Sequence, residues 1–160
     1  GWNWVDDRLI QEVRTEATKK INRDLVLDIM GTDIDARMVE IAKENAQKAG
    51  VASDITFKQM RVQDLRSDKI NGVIISNPPY GERLSDDAGV TKLYAEMGEV
   101  FAPLNTWSKF ILTSDENFEK KFGRQADKKR KLYNGTLKVD LYQFFGERVR
   151  RQATSEKGNI

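Results

Sequence analysis

Apolar positions along the chain recur at spacings that predict alternating helices and strands. Intervals of three to four residues predict three helices: Asp6–Ile21, a helix from a cap at Asp35 to Gly50, and about Val90–Ala102. Shorter apolar or alternating runs predict four strands: Leu25–Gly31, Ile55–Met60, Ile70–Ser76 and Trp107–Thr113. Strands alternating with helices are typical of an α/β fold with a mostly parallel sheet.

The pattern changes near the carboxyl end of the chain. Ser114 or Asp115 is expected to cap a short helix that runs through Phe122. Two strand-like segments then flank Asn134-Gly135, a strong short-range signal for a β-hairpin: Lys129–Tyr133 and Thr136–Phe145. We therefore expect residues 1–150 to form one domain that ends in an antiparallel hairpin, followed by a disordered polar tail, residues 151–160.

Composition limits the chemistry that this domain can perform. The chain has 160 residues, enough for a single core, and contains neither cysteine nor histidine. Disulfides, thiolate or imidazole metal sites, and catalysis by Cys or His are excluded, and no metal site is predicted. The chain lacks the run of about 18 apolar residues that a membrane span needs. We expect a soluble, cytoplasmic protein with no membrane partner.

The small net charge of +2 conceals an uneven distribution of charge. Residues 1–118 carry 15 basic and 20 acidic side chains, whereas residues 119–160 carry 12 basic and 5 acidic ones. The densest basic run is Lys128-Lys129-Arg130-Lys131. Such a run forms either a solvated surface or a contact with phosphate groups, and charge alone does not separate these two interpretations.

The predicted strand over residues 70–76 ends in an unusual polar turn, Asn77-Pro78-Pro79-Tyr80. Consecutive prolines restrict φ, remove two backbone donors and hold Asn77 in an extended conformation. Carbonyl acceptors are thus left beside an aromatic ring, a combination that suits the amino group and flat face of a nucleobase. Asn-Pro and Pro-Pro also mark ordinary turns. The position at the carboxyl end of a parallel strand favours a ligand site instead.

This tetrapeptide resembles the signature of S-adenosylmethionine-dependent amino-methyltransferases. The longer segment Asn77-Pro78-Pro79-Tyr80-Gly81-Glu82-Arg83-Leu84 resembles the bacterial RNA methylase family related to the 23S rRNA guanine-N2 methyltransferases. That resemblance covers about Leu25 to Gly146 and implies a Rossmann-like class I methyltransferase sheet with a carboxyl-terminal antiparallel hairpin. The tetrapeptide separates neither adenine from guanine nor DNA from RNA.

The resemblance also implies roles for residues outside the turn. Asp33 matches the carboxylate that accepts from the cofactor ribose, with Ile34 beside the adenine, although Asp33 also suits a simple turn. Asp64 matches the acceptor of the adenine amino group of the cofactor, and Val62 or Leu65 would line that pocket. Asp35 needs no role beyond its helix cap.

The implied reaction transfers a methyl group from S-adenosyl-L-methionine to an exocyclic amine, with Asn77, Pro78, Pro79 and Tyr80 as the catalytic residues. Asn77, which also lies in the cofactor site, and the Pro78 carbonyl would accept the amine N–H groups, and Tyr80 would stack on the base. Five basic residues would contact nucleic acid: Arg83, Lys128, Lys129, Arg130 and Lys131. The leading target is guanine N2 of ribosomal RNA. Adenine-N6 methylation of DNA and a non-catalytic nucleic-acid-binding domain are the alternatives.

Part of the family pattern has no counterpart in the sequence. The first strand and its glycine-rich loop are not found before Gly31, and an RNA-binding THUMP module is also missing. We therefore expect a fragment that lacks the amino-terminal part of its parent chain and is inactive alone. Asp28 lies within a predicted apolar strand, where it either faces solvent or has a partner that the sequence does not identify.

Overall fold

The computed structural model describes residues 4–22, 24–79 and 87–148. It divides into two compact units, Gly1–Gln59 and Met60–Ile160. The predicted order of helices and strands is confirmed in both units. The predicted tail 151–160 lies outside the described residues.

The first unit contains two helices and two parallel strands. Their bounds are α1 Asp7–Lys19, β1 Ile29–Asp33, α2 Ala36–Ala49 and β2 Ile55–Gln59. The Asp35 carboxylate accepts from the Arg37 backbone N–H, and Gly50 ends α2 with φ 71°, so both predicted ends of this helix are confirmed. The strands pair in register from Ile29 opposite Ile55 to Asp33 opposite Gln59.

The predicted limits of the first strand are wrong. Residues 25–28 precede β1, which includes Thr32 and Asp33 and ends two residues later than predicted. Asp28 is exposed and lies outside the strand rather than within it. The limits of β1 are set by hydrogen bonding to the five residues of β2, so an apolar stretch without a partner strand stays irregular.

The second unit is a four-stranded sheet with two helices. Its elements are β3 Val73–Ser76, α3 Asp87–Phe101, β4 Ser108–Thr113, α4 Phe118–Phe122, β5 Lys128–Asn134 and β6 Leu137–Phe144. The strand order is β3-β4-β6-β5, with β3 and β4 parallel and the other two pairings antiparallel. The predicted carboxyl-terminal antiparallel hairpin is confirmed as β5 and β6.

An aromatic cluster forms the core of this second unit. The fully buried Phe118 ring lies 4.9 Å from Tyr94, 5.0 Å from Phe122 and 4.8 Å from Tyr142, measured between ring centroids. Helix α3 contacts α4 closely at Gly98, where an added Cβ would lie 2.0 Å from the Phe122 carbonyl oxygen. The helices therefore pack this tightly only because position 98 has no side chain.

Several local predictions for the second unit are wrong by a few residues. Strand β3 begins at Val73 rather than Ile70, because Asn71 adopts a left-handed conformation with φ 60°. Asn117, not Ser114 or Asp115, precedes α4. The hairpin turn is Gly135-Thr136, since Asn134 still pairs with Leu137. No helix within the described ranges is both long and apolar enough to span a membrane.

Candidate functional site

The Asn-Pro-Pro turn lies where the sequence places it, directly after a parallel strand. Ser76 is the last residue of β3 and pairs with Ile111 of β4, so Asn77 follows at the carboxyl edge of this strand pair. Asn77 is exposed, Pro78 is buried and Pro79 is half-buried. The rigid part of the turn is thus packed against the protein while the amide of Asn77 remains accessible. Tyr80 and Arg83 lie outside the described residues.

A buried tyrosine of α3 contacts this turn. The Tyr94 hydroxyl donates to the Pro79 carbonyl oxygen at 3.3 Å and lies 2.9 Å from Thr113 Oγ1 at the end of β4. Both side chains are fully buried. The helical spacing identifies Tyr94 only as a member of an apolar face, and sequence gives no signal for its hydroxyl contacts. The same helix therefore contributes a polar group to the candidate site.

The segment that contains Asp64 is anchored on both sides. It forms a single 3-10 turn, Val62–Asp64, in which Asp64 is exposed. Leu65 is half-buried and packs against the core of the second unit. Gln63 donates from its side-chain amide to the Glu96 carboxylate on α3. Asp64 is thus exposed between neighbours that contact the second unit, and its carboxylate is accessible to a ligand.

The two predicted ribose and adenine contacts, Asp33 and Ile34, lie in the first unit at the end of β1. Asp33 is exposed, and its Oδ1 accepts from the Asp35 backbone N–H at 2.8 Å. The turn role that the sequence allowed for Asp33 is therefore present. Within the part of the chain that the structure describes, this is the only hydrogen bond of the Asp33 carboxylate, so Oδ2 remains available to a ligand. Ile34 is 66% exposed.

The neighbouring carboxylate, Asp35, is committed to the helix cap. Arg37 donates to both of its side-chain oxygens, at 3.1 Å from Nε to Oδ1 and 2.7 Å from Nη2 to Oδ2. Hydrogen bonding from the Arg37 side chain, with a smaller part from its backbone N–H, lowers the pKa of the Asp35 carboxyl. Asp35 is therefore ionised and engaged, which agrees with its assignment as a capping residue only.

The basic run lies on β5, at the edge of the four-stranded sheet. All four side chains, Lys128 to Lys131, are exposed. Alternation along the strand divides them between the two faces of the sheet. Lys129 lies over the Tyr142 ring, 5.0 Å from its centroid, and 4.0 Å from the Asp140 carboxylate. Charged edge strands also protect sheets from edge-to-edge pairing, so this placement suits both predicted interpretations.

Comparison with known proteins identifies the family. The profile for the RMKL-like methyltransferase domain matches residues 3–143. The chain belongs to this family. YpsC of Bacillus subtilis (strain 168), assigned as an RNA methyltransferase, is 50% identical over 154 residues, which cover 96% of this chain and 40% of YpsC.

A second relative is the ribosomal RNA large subunit methyltransferase K/L of Legionella pneumophila (strain Philadelphia 1). It is 34% identical over 142 residues, covering 88% of this chain and 20% of that protein. The chain therefore spans less than half the length of these relatives. The predicted resemblance to an RNA methylase family is confirmed.

Two solved structures extend the comparison to the fold. SMU.472, assigned as a methyltransferase and complexed with SAH, is 63% identical with a TM-score of 0.84; the match covers 93% of this chain and 40% of that one. A Listeria monocytogenes protein named as an N6-adenine-specific DNA methylase is 47% identical with a TM-score of 0.79, covering 91% and 37%. The predicted class I methyltransferase fold is confirmed.

Proposed function

We propose that the protein containing this chain transfers a methyl group from S-adenosyl-L-methionine to an exocyclic amino group in RNA, and that its target is guanine N2 of ribosomal RNA. One observation carries the proposal. In a member of the RMKL-like methyltransferase family, an exposed Asn77 and a packed Pro78-Pro79 pair follow directly after a parallel strand.

The turn supplies hydrogen-bond acceptors to a poor nucleophile. An exocyclic amine attacks weakly because its lone pair is delocalised into the base ring. Asn77 Oδ1 and the Pro78 carbonyl accept its two N–H groups, which favours a pyramidal nitrogen and stabilises the positive charge that develops there. No strong base is needed, in agreement with a chain that has no histidine or cysteine. Tyr80 stacks on the base, offsetting about 1–3 kcal/mol of the cost of extruding it.

S-adenosyl-L-methionine, when bound, supplies the methyl group as a reactive sulfonium. Asp33 and Asp64 fit its hydroxyl and amino groups, because both carboxylates are exposed, Asp33 at the end of β1 and Asp64 at the end of a 3-10 turn. In the first unit, Ile34 would supply apolar area beside the adenine. In the second unit, Leu65 would contribute apolar area from its packed position. The fit rests on carboxylates and apolar side chains and requires no metal.

Support for an RNA substrate comes from the relatives. YpsC is named for RNA, and the Legionella relative is named for the RNA of the large ribosomal subunit. Lys128 to Lys131 form an exposed basic strand, and we assign this strand and Arg83 to phosphate contacts.

Adenine-N6 methylation of DNA is the second candidate. The Listeria structure carries that name at 47% identity, and the same Asn-Pro-Pro turn serves either amine. A non-catalytic nucleic-acid-binding domain is the third. This third candidate predicts that the complete protein transfers no methyl group to either RNA or DNA.

The deciding experiment measures transfer of a labelled methyl group by the complete protein to ribosomal RNA and to duplex DNA. We expect transfer to RNA and its loss in Asn77→Ala, with affinity for S-adenosylhomocysteine within about twofold of wild type, because the amide acts on the amine. Asn105→Ala, which removes another exposed amide, is the matched control and should retain activity. Transfer to DNA alone supports the second candidate.

A large loss of cofactor affinity in Asn77→Ala would contradict the role assigned to its amide. The 160-residue chain by itself is expected to be inactive. Titration with S-adenosylhomocysteine is expected to show weak binding or none.

A further inference from the structure

The hydrogen bonds around Tyr94 have a defined direction. The Pro79 carbonyl oxygen can only accept, so the single hydroxyl proton of Tyr94 is donated to it. The Thr113 hydroxyl must then donate to Tyr94 Oη. Thr113 Oγ1 in turn accepts from the Asp115 backbone N–H at 3.1 Å. These bonds form one chain from the loop after β4 to the second proline of the motif.

The turn depends on this contact because prolines have no backbone N–H. Neither Pro78 nor Pro79 has a backbone N–H to donate, so the protein can form hydrogen bonds only to their carbonyl oxygens. Among the described residues, the bond from Tyr94 is the only hydrogen bond that reaches either proline. Since φ of each proline is already restricted, a hydrogen bond to the Pro79 carbonyl oxygen also restricts ψ of Pro79.

Burial makes the contact specific. Tyr94 and Thr113 are both 0% exposed, so water does not compete for their hydroxyl groups. The Tyr94 ring also packs edge-on against Phe118, with the ring centroids 4.9 Å apart. Packing against the core therefore determines where the hydroxyl lies. A phenylalanine at position 94 would keep the ring contacts and lose only the hydrogen bonds.

We infer that Tyr94 and Thr113 are positioning residues of the amino-group site, which hold the Pro79 carbonyl so that Asn77 Oδ1 and the Pro78 carbonyl are aimed at the target amine. This inference rests on the proposed function. Tyr94 does not touch the substrate in this arrangement; it acts through the turn. Because acceptors must be aligned before reaction, small rotations of the turn reduce turnover without removing any reacting group.

The test compares steady-state methyl transfer by the complete protein carrying Tyr94→Phe or Tyr142→Phe. Tyr142 is also 0% exposed, and its hydroxyl donates to the Asp115 carbonyl oxygen at 3.1 Å rather than to the turn. Both substitutions thus remove one buried phenol hydroxyl. We expect Tyr94→Phe to lower kcat about tenfold, the effect of one lost buried hydrogen bond, while KM for the cofactor changes less than twofold. Tyr142→Phe should keep kcat within about twofold of wild type.

Position 113 provides an independent check. Thr113→Val removes the hydroxyl at similar volume and should lower kcat as Tyr94→Phe does, whereas Thr113→Ser retains the hydroxyl and should restore turnover. Because both residues act through one chain of hydrogen bonds, the double variant Tyr94→Phe, Thr113→Val should be no slower than the slower single variant.

Equal kcat values for Tyr94→Phe and Tyr142→Phe would overturn the inference, since any loss would then be a general effect of removing a buried hydroxyl. A kcat for Thr113→Ser as low as that for Thr113→Val would also overturn the inference. These outcomes leave the proposed function intact, because wild type remains active. An inactive wild type on both RNA and DNA would instead overturn the proposed function, and the positioning role with it.

Discussion

Side chains of the same type have different hydrogen-bond partners in this chain, because their neighbours differ. Asp33 is the last residue of β1 and Asp35 follows two positions later, yet only Asp35 is bound on both oxygens by an arginine. Tyr94 and Tyr142 are equally buried, but only Tyr94 donates to the proline turn. The residue type therefore determines which hydrogen bonds a side chain can form, and the neighbouring groups determine which of these bonds it does form.

The Tyr142 phenol gives a testable dependence of stability on pH. Burial, reinforced by Asp140 and other nearby carboxylates, raises the pKa of Tyr142 from 10.0 to about 12. Below pH 10 the phenol is protonated in both the folded and the unfolded chain, and its stabilising contribution is complete. Between pH 10 and pH 12 only the unfolded chain ionises, so the contribution is lost as pH rises.

We expect the difference in unfolding free energy between wild type and Tyr142→Phe to be constant below pH 10 and to shrink as pH rises towards 12. Urea denaturation followed by circular dichroism at several alkaline pH values measures this difference. A difference that stays constant up to pH 12 would contradict the raised pKa.

At the scale of elements, the stability of the second unit depends on the close approach of α3 and α4 as well as on their apolar faces. A Cβ at position 98 would lie 2.0 Å from the Phe122 carbonyl oxygen, so Gly98→Ala must separate α3 from α4. We expect a loss of about 1–3 kcal/mol in the free energy of unfolding, the usual cost of overpacking, measured by urea denaturation.

Gly123→Ala is the control for this prediction because its Cβ would have no atom within 4 Å. Its cost comes only from the backbone, whose φ of 80° disfavours a side chain by about 1–2 kcal/mol. Gly98 lies in α3, the helix that also bears Tyr94. Gly98→Ala should therefore reduce methyl transfer by the complete protein, whereas Gly123→Ala should not. Equal effects on activity would show that the helix contact does not influence the turn.

The limits of elements were predictable only in part. Both ends of α2 were predicted because Asp35 and Gly50 are local signals that act within one turn of helix. The start of β3 was displaced because Asn71 adopts a left-handed conformation, and the hairpin turn was displaced because Asn134 still pairs with Leu137. Asn117 precedes α4, while the Asp115 carboxylate is occupied by the Asn117 N–H and by Lys121.

At the scale of the whole molecule, the apolar surface of β3 is the most informative feature. Ile75 is 82% exposed, although it lies in a parallel strand of an α/β sheet. Such strands are normally covered on both faces. The chain spans 40% of YpsC, and in a protein of that length further residues would be available to cover this side chain.

We expect Ile75→Thr to change the unfolding free energy of the 160-residue chain by less than about 0.5 kcal/mol, as is usual at exposed positions. In the complete protein the same substitution should cost about 1–3 kcal/mol if another segment buries the side chain. Urea midpoints of both proteins measure this difference.

Ile74→Thr is the matched control in the same strand. Ile74 packs against the core of its own unit, so its substitution should destabilise the chain and the complete protein alike. Equal, small effects of Ile75→Thr in both proteins would show that nothing covers this face.

The sequence by itself determined the order of the elements, the caps of α2 and the position of the Asn77-Pro78-Pro79 turn directly after a strand. Each of these depends on residues that are neighbours in the chain or on a regular local period. Only the tertiary structure decided that the Tyr94 hydroxyl donates to the Pro79 carbonyl and contacts Thr113, and that Ile75 is exposed while Ile74 is packed. A helical period reports which face is apolar, but not which single hydroxyl on that face meets a distant carbonyl, because that contact depends on how separate segments pack.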